Sequence, residues 1–255
     1  MRRAHLGRIA LSQSATLTAP HLDETAGRVR THLATVNDPG MATRVRRCWE
    51  HCAESSNGTI VGDDEFYERL CREQPEDLRG KESVRVLFAL AGDPAGRLAL
   101  LRRLVDFDLM GSVKVFGLGV DDPLLHWLGS PRGAADVATY DSLWVRLVDL
   151  PEALQARTWN APCDVVVEVA DTTAPWNDGS WRIRADDAGD ATVERTTAES
   201  DVRLRVEALG GAYLGGGNLV ALQRAGLVAE RRKGGVAELW RAMRTEVLPT
   251  AAFGF

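Results

Sequence analysis

Lysine is nearly missing from this chain: of 31 basic side chains only Lys81, Lys114 and Lys233 are lysines, and the rest are arginine. There is no lysine tract, and 31 basic against 36 acidic residues leave a formal charge of −5, the wrong sign for a protein that neutralises many phosphates. Nucleic acid is therefore not the expected partner. Long apolar runs are missing too, the longest being Val86 to Ala91, far short of the roughly 20 residues needed to cross a bilayer. Met1-Arg2-Arg3, with His5, Gly7 and Arg8, has no apolar stretch behind it and predicts neither a secretory nor a twin-arginine signal. Cysteine is scarce, with Cys48, Cys52, Cys71 and Cys163 as the four, and without an export signal they predict reduced thiols in a cytoplasmic protein.

What is present is the composition of a folded protein. Hydrophobic residues make up 45% and charged residues 26% of 255 positions, enough for one large domain or two ordinary ones and wrong for disorder, collagen or coiled coil. Gly7 to Leu17 reads as one strand with no evident neighbour, and Gly27 to Leu33 as a second, short strand. The turn Asn37-Asp38-Pro39-Gly40 leads into a helix from Arg44 to Cys52, and Asp63 and Asp64 stand where N-caps belong before Phe66, Leu70 and Cys71.

Strand Val84 to Leu90, helix Pro94 to Asp106 opened by Asp93-Pro94, and strand Ser112 to Leu118 read as a βαβ unit. Asp121-Asp122-Pro123 starts a short helix, and the residues from Gly129 to Gly133 suit a linker. Beyond Ser142 the texture changes. Leu143 to Val148 reads as a strand, Pro151 opens a helix, and four alternating runs follow at Val165 to Val169, Trp181 to Ala185, Ala191 to Arg195 and Val202 to Val206. Three helices, Leu209 to Leu214, Asn218 to Ala225 and Val236 to Arg244, complete an antiparallel sheet with helices on one face, an α+β arrangement.

Several motifs suggest chemistry and fail on spacing. Cys48 and Cys52 with His51 between them are soft-metal donors, but the spacing is not that of a zinc knuckle, Cys71 is isolated and no paired histidines exist, so buried helix cysteines and no metal are expected. The five histidines are scattered and there is no nucleophile elbow, which leaves a hydrolase triad unsupported. Gly210-Gly211 and Gly215-Gly216-Gly217 lack the Lys-Ser/Thr of a phosphate loop and suit helix ends and a tight helix–helix turn. Arg232-Lys233-Gly234-Gly235-Val236-Ala237 fits the Arg/Gln-x-x-Gly-x-Gly/Ala pattern of GNAT acetyltransferases, in which a helix start binds a pyrophosphate, but the strand before it is short.

Two stretches carry a resemblance. Tyr140-Asp141-Ser142-Leu143-Trp144-Val145-Arg146-Leu147-Val148-Asp149-Leu150-Pro151-Glu152-Ala153-Leu154-Gln155-Ala156-Arg157 is the first. Ala208 to Gly216 with the closing Thr250-Ala251-Ala252-Phe253-Gly254-Phe255 is the second. Both resemble the C-terminal part of the Eis (enhanced intracellular survival) family of GNAT N-acetyltransferases. Leu98, Leu101 and Leu104 with Asp106 resemble a helix of that family's second domain, so the likeness runs from about Gly27 to the end. It implies residues 1–25 as the remnant strand of a first GNAT domain, 26–137 as a second, degenerate GNAT-like α/β domain, and 138–255 as a sterol-carrier-protein-like domain. Between Gly80 and Val84 a hairpin of the second domain is skipped.

The resemblance also implies acetyl transfer from acetyl-CoA to a primary amine, such as an aminoglycoside or lysine, in a hexameric assembly. The acetyl-CoA loop and the general-acid tyrosine would fall at or before Met1, so this chain alone is expected to be inactive and to bind no acetyl-CoA. By resemblance the terminal carboxylate of Phe255 is the general base, and Phe66, Tyr67 and Phe253 are substrate-binding. An α-carboxyl, with a pKa of about 3.5 in water, becomes a better base when buried. A second reading, from another class, is a non-catalytic sterol-carrier-like module for ligand binding or oligomerisation.

Overall fold

The expected strand over Gly7 to Leu17 forms earlier, as β1 (Arg3–Ser12), and residues 15–19 continue as coil. The computed structural model describes residues 3–12, 15–32, 34–35, 38–54, 59, 61–72, 83–87, 89–107, 111–129 and 134–250, with backbone alone for 3–9, 12 and 140–142. Two compact units emerge: one spans His5–Tyr140 and also contains Thr250, and the other consists mainly of Asp141–Pro249.

In the N-terminal unit the expected strand from Gly27 to Leu33 is replaced over its described residues, with Gly27 and Arg28 closing α1 (Asp23–Arg28) and residues 29–32 in coil, while Leu33 lies outside the described residues. Asp23 and Glu24 in its first turn and Arg28 in its last complement the helix dipole, and Ala26 is buried in the core, which a strand there would not achieve. Next come α2 (Met41–Glu54) and α3 (Asp64–Arg72), where the Asp63 carboxylate accepts the Phe66 N–H at 2.9 Å as predicted for an N-cap. β2 (Ser83–Val86) stops short of Leu90. Then α4 (Pro94–Val105) opens on Asp93, which accepts the Gly96 N–H at 2.8 Å, with Pro94 in the turn that needs no donor.

β3 (Ser112–Leu118) returns parallel to β2, with Val84 opposite Val113, and completes the βαβ unit. After α5 (Leu124–Trp127), β4 (Ala134–Trp144) forms earlier than the predicted Leu143 to Val148 run. The sheet order is β2-β3-β1-β4, so β1 has the neighbour its sequence did not reveal: it runs antiparallel to β3 with Leu11 opposite Val113. Leu11, Leu98, Leu101, Val115 and Leu124 are fully buried in this core, each worth about 1.5–3 kcal/mol.

The C-terminal unit opens with α6 (Leu150–Ala156), capped by Asp149 on the Glu152 N–H at 2.9 Å. Its strands are β5 (Cys163–Ala170), β6 (Gly179–Ala185), β7 (Ala191–Arg195) and β8 (Val202–Arg205). They are followed by α7 (Val206–Ala212), α8 (Leu219–Arg224), the short β9 (Val228–Glu230) and α9 (Gly235–Met243). The order is β7-β6-β5-β8-β9. The expected antiparallel sheet is mixed, because β8 lies parallel to β5 with Val167 opposite Val202. Two hairpin reversals leave β7 pointing the same way as β5, and the crossover to β8 keeps that direction. Val165, Val167, Val169, Trp181, Ile183, Val193 and Leu204 meet Leu209, Leu219, Val236, Leu239 and Met243, so side chains fill the space between sheet and helices.

Two polar clusters brace this unit. Arg157 donates to the Tyr213 carbonyl at 2.7 Å, to the Ala212 carbonyl at 3.4 Å and to the Met243 carbonyl, and it lies 5.1 Å from the Trp159 ring centroid. One guanidinium thereby caps the C-terminal ends of α7 and α9. Asp171, buried at 3%, accepts both 2.7 Å bonds from Arg146. Asn177, at 0%, donates to Asp171 at 3.1 Å and to the Leu147 and Val148 carbonyls, and accepts the Leu150 N–H at 3.0 Å. The glycine-rich stretch is a close approach, as expected. A Cβ on Gly217 would lie 2.4 Å from the Gly211 oxygen and 2.7 Å from the Ala212 nitrogen, which are backbone atoms that cannot swing aside. Gly217→Ala is expected to lower stability by about 2 kcal/mol. A urea midpoint equal to wild type would refute that packing role.

Candidate functional site

A diphosphate cradle at a helix start needs free N–H groups and no competing anion. Two helix starts among the described residues are closed by their own carboxylates. At α4 the Asp93 side chain takes the Gly96 N–H, and Pro94 contributes no donor at all. At α9, where the Arg/Gln-x-x-Gly-x-Gly/Ala pattern falls, Glu230 accepts the Gly234 N–H at 3.1 Å and the Val236 N–H at 3.3 Å. Arg232 of the same pattern is held by Asp201 at 2.7 Å and Glu238 at 2.9 Å. An incoming pyrophosphate would meet negative charge at both places, so these residues do not fit acetyl-CoA.

Of the predicted site residues, Phe255 and Phe253 lie outside the described residues. Phe66 and Tyr67 are adjacent on α3 and form an edge-to-face cluster with Trp49 of α2, the centroids 5.9 Å (Trp49–Phe66), 6.1 Å (Trp49–Tyr67) and 5.1 Å (Phe66–Tyr67) apart. Tyr67 is 1% exposed, and its hydroxyl accepts the Gly62 N–H at 3.3 Å. Burial pushes its phenol pKa up, so it stays protonated at neutral pH. Phe66 remains partly exposed beside it.

Thr250, the last described residue, is seated on two connections of the same unit. Thr59, on the connection between α2 and α3, donates its hydroxyl to the Thr250 carbonyl at 3.3 Å. On the other side Gly119 ends β3, and a Cβ there would fall 2.7 Å from the Thr250 hydroxyl and 3.0 Å from Asp121. The turn after Gly119 carries Asp122, which bonds Arg97 of α4 at 2.5 Å and caps the Leu124 N–H at 2.9 Å. Burial pushes the Asp122 carboxyl up despite the guanidinium beside it. Thr59, Gly119 and this ion pair were not singled out by sequence reasoning. Only Gly119, a glycine at a strand end, carried a signal of close backbone approach.

The cysteines differ from expectation. Cys71 and Cys163 are buried, but Cys48 and Cys52 are only half-buried. Among the described residues no three His, Cys, Asp or Glu side chains converge on a metal position, and no helix is long and apolar enough to cross a membrane.

Two mixed sheets with their helices make this an α+β protein, and residues 150–251 match the sterol carrier protein domain family. An uncharacterized N-acetyltransferase of Streptomyces avermitilis is 42% identical over 182 residues, which are 71% of this chain and 44% of that protein. N-acetyltransferase Eis of Mycobacterium tuberculosis is 26% identical over 227 residues, 85% of this chain and 54% of its own length. The crystal structure of Eis1 from Mycobacterium abscessus superposes with a TM-score of 0.78 at 25% identity, over 99% of this chain and 68% of that one. The chain is similar to the C-terminal part of Eis-family N-acetyltransferases, and it spans about half the length of the curated relatives it matches.

Proposed function

We propose that these residues act as the acceptor side of an Eis-type enzyme that moves an acetyl group from acetyl-CoA to a primary amine, such as an aminoglycoside or a lysine side chain. In this reading the 255 residues by themselves do not turn over. The observation that best supports it is the seat of Thr250, which fixes the start of the C-terminal tail against the connection leading into the aromatic residues of α3. Five residues further on, the Phe255 carboxylate takes the proton from the attacking amine, with Phe253 supplying apolar surroundings that raise its basicity. Phe66 lines the acceptor pocket and Tyr67 backs it. The closed starts of α4 and α9 leave acetyl-CoA no diphosphate cradle there, so no cofactor step is assigned to either. The packed face of the sterol-carrier-like sheet speaks for a scaffold rather than a lipid carrier.

Calorimetric titration of CoA into the 255-residue chain is expected to show no micromolar binding, and a micromolar Kd would overturn the assignment. Fusing the chain behind the N-terminal half of the Streptomyces avermitilis relative is expected to give amine acetylation, followed by thiol release. Deleting residues 253–255 from that fusion is expected to reduce kcat by about 100-fold or more while KM for acetyl-CoA holds. An unchanged kcat would remove Phe255 from the chemistry.

A further inference from the structure

Cys48 and Cys52 stand one turn apart on α2 and so share a face of the helix. Their thiols address the same piece of backbone: Cys48 Sγ lies 3.8 Å from the Leu90 carbonyl and Cys52 Sγ lies 3.3 Å from that of Ala91. They are also within hydrogen-bonding reach of each other. Gly92, the residue after Ala91, packs closely on α2, since a Cβ there would fall 2.7 Å from the His51 imidazole. Arg97 is near enough to Cys52 to favour its thiolate, although burial pushes that thiol up to about 11 overall.

Helix neighbours four apart have Cβ atoms about 5–6 Å apart, whereas a disulfide needs them at about 3.5–4.5 Å. A direct S–S bond is therefore strained, while a bridge of one inserted atom fits. A four-coordinate metal is not served, because no third ligand converges among the described residues.

We propose that Cys48 and Cys52 form a dithiol site for a trivalent arsenical that carries one organic substituent. Two As–S bonds form and two As–O bonds of the hydrated arsenical R–As(OH)₂ break. The two thiol protons leave with the hydroxyls as water, and no electron changes hands.

Phenylarsine oxide is the probe, added to the full chain in the presence of excess glutathione and mapped after tryptic digestion. Arg47 and Arg69 bound a single peptide that holds both thiols, and Cys71 falls on the next one. One phenylarsenic per chain is expected on peptide 48–69, with both of its thiols closed to alkylation and Cys71 and Cys163 still open. The adduct should survive glutathione and be released by 2,3-dimercaptopropanol. Cys48→Ser and Cys52→Ser are each expected to weaken binding by about 100-fold or more, because the second bond is intramolecular. An adduct on Cys71 or Cys163, or wild-type affinity in either serine variant, overturns the proposal. Should a variant fail to fold, the peptide map of the wild-type chain decides alone.

Discussion

Replacing Arg157 by methionine is expected to lower the stability of the C-terminal unit by about 2–3 kcal/mol, the cost of leaving partly buried carbonyls without their charged donor. Methionine keeps the apolar stem but leaves the carbonyls of Ala212, Tyr213 and Met243 without their donor. These carbonyls end two helices, so the loss falls on α7 and α9 together. Burial draws the Arg157 guanidinium down to about 10, which still leaves it charged at neutral pH. Its plane also rests against Trp159 at 5.1 Å and Tyr213 at 6.0 Å, contacts that a lysine ammonium cannot reproduce while reaching three carbonyls. Arg157→Lys should therefore recover less than half of the loss. Urea unfolding followed by tryptophan emission reads both variants, and a loss below about 1 kcal/mol in Arg157→Met would contradict the capping role.

Acid should strike the other brace. Burial alone would raise the Asp171 carboxyl, but Arg146, the Ala174 N–H, the Asn177 amide and the Thr173 N–H outweigh it and hold the pKa down to about 2. A carboxyl depressed in the folded state adds stability that is complete above its unfolded pKa of about 3.9 and disappears as pH falls through 2. The drop from 3.8 to about 2 corresponds to about 2 kcal/mol. Wild-type protein is thus expected to lose that amount between pH 5 and 2, and Asp171→Asn should lack this part of the acid dependence. Asn177→Leu should cost about 3–5 kcal/mol at pH 7, since four hydrogen bonds of a fully buried amide vanish and Asp171 loses a partner. Matching pH profiles of wild type and Asp171→Asn would sink this assignment.

Local chemistry was the legible part of this sequence. Asp93 before Pro94 and Asn218 ahead of α8 cap the helices they were expected to start, because an N-cap is decided by neighbours two or three residues away. The alternating runs of the C-terminal sheet appeared where period-2 patterning put them. Features decided by distant partners did not show. Gly27 to Leu33 alternates like a strand, yet Asp23 meets Arg102 of α4 at 2.6 Å and Ala26 enters the core, so tertiary contact favours a helix before it. The poorly patterned Ala134 to Tyr140 becomes strand because β1 offers it an edge. Phe66 and Tyr67 were singled out as neighbours in sequence and pack together on Trp49, while the seat of Thr250 was not legible, since nothing local links residues 59, 119 and 250.

The parallel pairing of β5 with β8 has a consequence for synthesis. β6 follows β5 directly and covers one edge, but the other edge waits for Val202, roughly thirty residues later. At 5–20 residues per second the nascent chain carries that open edge, with Val167 and Val169 on it, for about 2–6 s. Asp164 and Glu168 on the same strand supply the charge that discourages a second chain from pairing there in the interval.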